Sequence, residues 1–498
     1  MPQTAEQLAE DTKWAVKALT EGNRFTEYRT YREYYDGTQD MEFATDKFAK
    51  AFSTQLKTFA YNRCGTVVDA IADRLTLTGF STWGLEEAEE DTNQEQIELI
   101  WRANRFDKKQ GDFAREALLV GNAYWIVWPE PVPTGGYMPM LYLNSPETTV
   151  IRYDEDTKRK LVAAKLWHVS GGPDDGKWRL NLFYSDNVYK YVTADKKDSP
   201  PKEPESYTPF VPDPELVQLG IVAAEPWPLP NPWGQIPVFQ YANRVNEGHY
   251  GRSELKDVLP LQNALNKACM DLIVAMEYGA YPQRWATGLS LGLPDPITGK
   301  VVSPFRQGPG EVWSAGEKAA FGDFNVTDLS QFISVQESFD KKISNVARIP
   351  THWLNMGDGE APSGESLKTA EAPFVGKLKG LTVAMGDTHE DAFALALTQA
   401  GTADAELDAI WAGIELRSDL DRANVATLRK QYGYSNEELQ RQDGLSQDTI
   451  ERMQEENQEA VKVQQEQFAA GFGTGFPPGG GNEPPANAEE EDKEEERE

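Results

Sequence analysis

Cysteine is nearly absent: the 498 residues include two, Cys64 and Cys269. Two thiols so far apart in sequence make neither a disulfide framework nor a metal cluster, which points to a reducing, cytosolic compartment. Histidine is almost as scarce. His168, His249, His352 and His389 are the only four, and none has a Cys or acid at metal-ligand spacing, so each reads as a packing or surface residue and no cofactor is implied. No apolar run approaches the ~18 residues of a membrane-spanning helix, so no membrane partner is expected. The start, Met1-Pro2-Gln3-Thr4-Ala5-Glu6, has neither basic region nor hydrophobic core, and a signal peptide is not expected. Positive charge is the last shortage, with 49 Lys and Arg against 80 Asp and Glu and a net charge of −31. Whole-surface affinity for nucleic acid is thereby excluded, and any such contact must come from a local ring of bases.

Aromatic residues are plentiful, with 13 Trp, 19 Tyr and 21 Phe, so most of the chain can build cores, and its length calls for more than one domain. Two central segments organise the rest. In Ser253 to Tyr278, with Ser253 as N-cap, Leu255, Leu259, Leu265, Cys269, Leu272, Ile273 and Met276 recur at helical steps. Pro260 is either an early kink or the true first turn. In Asp328 to Arg348 the same period runs through Leu329, Phe332, Ile333, Gln336, Phe339, Ile343 and Val346 until Ile349-Pro350 stops it. Two stripes of equal length can pack antiparallel.

Before this pair, residues 4 to 35 read as one broken helix, stopped by Asp36-Gly37. Asn62 to Leu75, Gln96 to Asn104 and Asp107 to Leu119 read as further helices, and Thr76 to Phe80 and Ala123 to Trp128 as strands. Five β-type runs follow: Tyr137 to Leu143, Thr149 to Tyr153, Leu161 to Val169, Trp178 to Phe183 and Asn187 to Val192. A proline-rich loop, Asp198 to Pro237, leads to a short strand, Val238 to Tyr241. Between the paired helices, Ala280 to Asn325 forms a small insertion with short strands such as Gly310 to Ser314. Ser363 to Ala400 is a long helix, kinked by Pro373 and weakened at Gly376, Gly380 and Gly386 by about 1 kcal/mol each, which close packing must offset. Ile414 to Asp421 fits strand or turn. Arg422 to Tyr432, Asn436 to Gln442 and Ser446 to Phe468 are helical. Gly471 to Glu498 ends in nine acids and two bases from Glu483 onward, a composition that favours disorder.

Catalytic signatures fail on context. Gly288-Leu289-Ser290-Leu291-Gly292 fits a nucleophile elbow, but Leu293-Pro294-Asp295-Pro296 forbids the helix that would expose the serine. Gly171 to Lys177 spells a phosphate loop as far as its lysine, yet Trp178 stands where magnesium needs a hydroxyl, and the setting is a hairpin turn. Nothing recommends an enzyme.

Several stretches in fixed order resemble the portal, or head-to-tail connector, proteins of tailed double-stranded DNA bacteriophages of the long-tailed (siphovirus) type. They are Tyr34-Tyr35-Asp36-Gly37, Asn62 with Val68-Asp69 and Arg74-Leu75 leading to Gly79-Phe80, and Ala117 to Trp128 with Gly121-Asn122-Ala123-Tyr124. Asn243-Arg244, Gly251-Arg252-Ser253-Glu254-Leu255, Ile343 to Pro350 and Ser363-Gly364-Glu365-Ser366-Leu367 complete the series, which spans about residues 25 to 450.

The resemblance implies an α+β portal fold: an α/β wing (1–245), an antiparallel helical stem pair (246–279 and 326–349), a small α/β clip (280–325), a tunnel loop (350–363), a long kinked helix (364–405), a helical crown (406–470) and an acidic tail (471–498). It also implies a homo-oligomeric ring of about twelve subunits at one capsid vertex, a virion protein assembled in the host cytoplasm. The partners implied are double-stranded DNA without sequence specificity, the terminase large subunit, a head-completion or adaptor protein, and major capsid and scaffold proteins. Lys341, Lys342 and Arg348 are then candidates for weak phosphate contacts in the channel, or equally a solvated face or intersubunit salt bridges. His352, Trp353, Asn355 and Met356 are candidates for the constriction, with Trp353 alternatively packed inward. Arg284, Lys300 and Arg306 are candidates for the clip's partner surface. Two other classes stay open: a serine hydrolase using Ser290, which needs a histidine and an acid to converge there, and a non-viral ring-forming scaffold acting through the Glu-rich C-terminus, which would need its tail to assemble.

Overall fold

A computed structural model describes residues 3–40, 61–83, 87–132, 135–212, 214–218, 224–245, 248–280, 284–287, 320–323, 328–354, 364–402, 406–415, 419–436, 439–440, 450, 452–454, 456–457 and 461–462. The chain divides into two units, Met1–Gly444 and Leu445–Glu498. In the second, the described residues are helical, as the Glu- and Gln-rich period from Ser446 predicts.

In the first unit the broken N-terminal helix is α1 (Ala5–Thr20) and α2 (Arg24–Asp36). Thr4 caps α1 by accepting from the Gln7 amide, and Gly37 closes α2 in the left-handed conformation. Next come α3 (Cys64–Ala72), β1 (Leu77–Trp83), α4 (Glu87–Asn104) and α5 (Phe106–Val120). The sheet region holds β2 (Asn122–Pro131), β3 (Tyr137–Asn144), β4 (Thr149–Tyr153), β5 (Lys160–His168), β6 (Trp178–Phe183) and β7 (Asn187–Thr193). The proline-rich loop contributes β8 (Tyr207–Pro209), the short α6 (Pro214–Gln218) and β9 (Leu229–Pro230), and β10 (Val238–Ala242) ends it.

These strands form two antiparallel sheets, one ordered β10-β2-β3, the other β4-β5-β6-β7-β8 with β9 also on β7. Helix α1 lays Ala15, Val16 and Leu19 on Val162, Ala164, Leu166, Leu180 and Leu182 of the larger sheet. A second cluster, with Tyr124, Ile126, Ile151, Phe183 and Val238, joins residues of both sheets. Gly171 to Lys177 is the hairpin turn between β5 and β6, with the Gly171 amide donating to Asp175, as its context predicts.

The first central helix, α7, runs Leu259–Ala280. Ser253 is not its N-cap. Residues 254–258 form turns, and Pro260 lies in the true first turn. The insertion shows β11 (Arg284–Thr287) paired antiparallel with β12 (Ala320–Asp323), and the expected strand Gly310 to Ser314 falls outside the described residues. The second central helix, α8 (Ser330–Ala347), packs on α7. Ile333, Val346 and Met276 belong to the predicted buried stripes but are 51%, 44% and 52% exposed. Of the predicted stripe of α8 Ile343 is buried, and Asp340, Ser344 and Ala347 complete the buried face. It passes through polar residues because its neighbours supply hydrogen bonds, which a purely apolar count cannot register.

The segment expected as loop from residue 350 opens with a helical turn, α9 (Thr351–Leu354). Helix α10 (Gly364–Ala400) then continues through Pro373, burying Phe374, Leu378, Leu381, Met385 and Ala392 at helical spacing. A strand that the sequence does not announce, β13 (Glu406–Trp411), pairs antiparallel with β1, and α11 (Asp419–Gln431) follows. At the centre of the main core, Phe113 stacks on Trp125 at 4.7 Å, and Phe393 of α10 packs against Phe80 and Phe106. Full burial of each such ring contributes about 1.5–3 kcal/mol.

Candidate functional site

Tyr34-Tyr35, Asn62, Gly121-Asn122, Asn243-Arg244, Gly251 to Leu255 and Ile343 to Pro350, stretches that carry the family resemblance, converge at one joint, the root of the paired helices. Gly121, between α5 and β2, has φ +89°, and a Cβ there would lie 2.7 Å from the Gly251 carbonyl. A Cβ on Gly251 would lie 2.0 Å from the Gly121 oxygen, so two backbones touch where no side chain fits. The Gly121 carbonyl accepts from the Asn243 amide at 2.8 Å, and the Asn243 carbonyl accepts from the Arg252 amide at 2.6 Å. Asn122 Oδ1 accepts from the Gly251 amide and from Gln240 Nε2. Ser253 donates its hydroxyl to the Leu119 carbonyl at 2.5 Å and accepts from the Leu255 amide, so it pins the turn before α7 to the end of α5.

A buried charge pair fastens this turn to the other two helices. Lys377 of α10 and Glu254 have side chains only 3% and 1% exposed, with Nζ and Oε2 2.6 Å apart. The same ammonium donates to the Ala347 carbonyl, an otherwise orphaned group at the C-terminus of α8, at 2.8 Å. Glu254 Oε1 accepts from Asn243 Nδ2 at 3.0 Å and faces Arg244 Nε at 3.2 Å. Burial pushes the Lys377 pKa down, and Glu254 partly offsets the shift. Because the end of α8 meets the residue that opens α7, the two helices run antiparallel.

Two turns back along α8 from Ala347, Arg63 grips Asp340 with Nε and Nη2 at 2.8 and 2.9 Å, and its backbone amide donates to Gln262 of α7. Gln262 also donates to the Tyr61 carbonyl, and Asn266 accepts from the Tyr61 amide. Tyr34 donates to Asn263 at 2.6 Å, Tyr35 donates to Asp69, and Asn62 donates to the Tyr35 carbonyl. Chain separated by two hundred residues and more is thus locked to the first two turns of α7. Lys377, Glu254, Arg63 and Asp340 escape sequence reasoning, since charged residues on helical stretches read as solvent-facing; the available signal was the placement of Lys377 among Phe374, Leu378 and Leu381.

The candidate residues fall in different places. Lys341, Lys342 and Arg348 are all exposed. Lys341 and Arg348 are seven residues apart and share a face, while Lys342 is turned about 100° away, its ammonium over the Phe339 ring at 4.8 Å. Arg348 has φ +56° and ends α8, with Ser344 donating to the Ile349 carbonyl. His352 Nε2 lies 3.7 Å from the buried Glu371 carboxylate of α10. Trp353 packs inward, edge-on to Phe374 at 5.1 Å and beneath the Arg74 guanidinium. Arg284 pairs along the backbone with Asp323. Asn355, Met356, Lys300, Arg306 and Ser290 lie outside the described residues. Among the described residues no three His, Cys, Asp or Glu side chains come together to hold a metal, and no helix is long and apolar enough to cross a membrane. His389 is buried, its Nδ1 accepting from Trp125 Nε1 at 3.0 Å, and burial pushes its pKa down to about 3.

Residues 20–463 match the family of phage portal proteins, SPP1 Gp6-like. The chain belongs to the phage portal family. No curated protein matches it. Three solved structures resemble the portal chain at 13% identity. One is described as the virion of a native gene transfer agent particle (TM-score 0.41, covering 87% of this chain and 99% of the other). The second is the neck of an empty such particle computed with C6 symmetry (0.43, 86% and 95%), the third the neck of a native particle computed with C12 symmetry (0.41, 76% and 88%). Portal proteins of this family are structural, and the mixed helix and sheet architecture accords with an α+β portal fold.

Proposed function

We propose that this portal protein forms a ring, a dodecamer, at one capsid vertex, and that the ring is the channel for DNA packaging and ejection and the platform on which terminase and head-completion proteins dock. The family match over residues 20–463 carries the reading. The joint supports a passive mechanism. Buried hydrogen bonds and two buried ion pairs hold α7, α8 and α10 as one piece, so force on the paired helices passes into the sheet region without a hinge between them. In this reading Met1 to about residue 245 is the wing, α7 and α8 the stem, 280–325 the clip, 350–363 the tunnel loop, and 406–470 the crown. Lys341 and Arg348, on one face of α8, are the stem residues placed for brief phosphate contacts, repeated around the ring and weak enough to release. His352, Asn355 and Met356 belong to the constriction, with Trp353 as its inward anchor. Arg284, Lys300 and Arg306 serve the clip surface.

Native mass spectrometry of the purified full chain, with class-averaged electron images, tests the reading. Rings of about twelve copies with an axial hole are expected. A monodisperse monomer from low to high concentration refutes a self-assembling ring.

A further inference from the structure

Two helix faces of unlike shape are left uncovered near the joint. On α8, Val335, Phe339, Lys342 and Val346 follow one another at four- and three-residue steps, so they share a flank; both valines are 44% exposed, while Phe339 is half-buried against the main core. Lys342 caps Phe339 there and forms no ion pair among the described residues. On α10, Ala372, Gly376, Gly380, Val383, Ala384 and Asp387 share the face opposite the buried stripe, and Val383 is 67% exposed. A Cβ on Gly376 or Gly380 would meet nothing within 4 Å. Close packing inside the subunit, which the sequence demands in return for these glycines, is therefore missing. Each glycine lowers helix stability relative to alanine, with no return inside one subunit. Asp387, Glu390, Asp391 and Asp408 cluster at the end of the same face, where burial and mutual repulsion raise the Glu390 carboxyl, offset in part by the Ala409 amide it accepts from.

One raised, cationic flank and one flat, acid-ended face on the same chain are what a head-to-tail contact between identical subunits requires. In a closed ring each copy uses both faces, one toward each neighbour. Val346 and Gly376 each precede a residue of the Ala347–Lys377 contact, so the two faces lie at the same level of the subunit. We infer that the α8 flank of one copy seats on the glycine face of α10 in the next copy. The inference rests on the ring reading and names the surfaces that close the ring.

The test is a Val346→Cys/Gly376→Cys double variant of the full chain. Cys64 and Cys269 are buried and do not compete. Oxidised rings should run as a covalent ladder on non-reducing gels, while each single variant stays monomeric. Rings without a ladder overturn the inference and leave the ring reading standing. A wild-type chain that forms no rings refutes the ring reading itself. As a second test, Gly376→Leu/Gly380→Leu puts better helix formers where no neighbour clashes. This variant should melt no lower than the wild type, yet its ring population should fall at least tenfold. Rings at wild-type yield would show that these faces serve another partner or none, and would sink the proposal.

Discussion

Lys377→Met should release the joint, and the size of the effect follows from what remains. Methionine keeps the length and most of the volume of the side chain but removes the 2.6 Å pair with Glu254 and the 2.8 Å bond to the Ala347 carbonyl. Removing one partner of a buried pair typically costs about 3–5 kcal/mol. Here Glu254 keeps Asn243 and Arg244, so the lower half of that range, about 3 kcal/mol, is expected. Glu254→Gln should cost a similar amount, since it strands the ammonium. The double variant Lys377→Met/Glu254→Gln should cost about 2 kcal/mol less than the sum of the two single changes, because neither buried charge then lacks its partner. Urea unfolding followed by tryptophan fluorescence at pH 7.5 gives all three values. If Lys377→Met shifts stability by less than about 0.5 kcal/mol, the ion pair contributes nothing net and the joint is held by its backbone contacts alone.

His389 gives a pH signature. Its folded pKa, about 3, lies below the unfolded value of 6.5, so its contribution is complete above pH 6.5 and is lost as pH falls toward 3. At about 1.36 kcal/mol per unit, the loss between pH 7 and pH 5 is about 2 kcal/mol. His389→Gln keeps an acceptor for Trp125 but cannot titrate, so its unfolding free energy should fall with pH by that much less; parallel curves would contradict the assignment. Gly251→Ala should abolish soluble expression, because its Cβ would sit 2.0 Å from the Gly121 oxygen, and normal yield with a wild-type melting curve would show that the backbones can part. Arg63→Ala should destabilise by about 3 kcal/mol by stranding Asp340, whose side chain is 5% exposed; Asp340→Asn in the same background should recover most of it.

Local order was largely legible. Both N-terminal helices, the five sheet strands and the buried stripe of α10 follow from the spacing of apolar residues, which reports burial wherever an element buries one continuous face. What escaped depends on partners far away in sequence. Strand β13 is short and carries Asp and Ala, and only β1, some 330 residues earlier, makes it a strand. Ser253 resembles an N-cap because it does accept a nearby amide, but its hydroxyl is committed to Leu119. Lys342 shares a sequence cluster with Lys341 and Arg348 and shares no face with them, a separation that a count of bases cannot reveal. Stretches recognised by their resemblance alone, such as Gly121-Asn122 and Gly251 to Leu255, are where backbones touch too closely for any side chain, so their meaning lies in contacts between them.

The Lys377–Glu254 pair also sets a sequence of events during synthesis. Glu254 leaves the ribosome soon after Arg244 but more than a hundred residues before Lys377, and until then its Oε2 lacks the ammonium that accompanies it in the core. The last carbonyl of α8 therefore has no anchor until α10 has been made. A chain cut short before Lys377 leaves the end of α8 unfastened from that turn. The subunit thus carries an internal check on its own completeness, read by a single ammonium group.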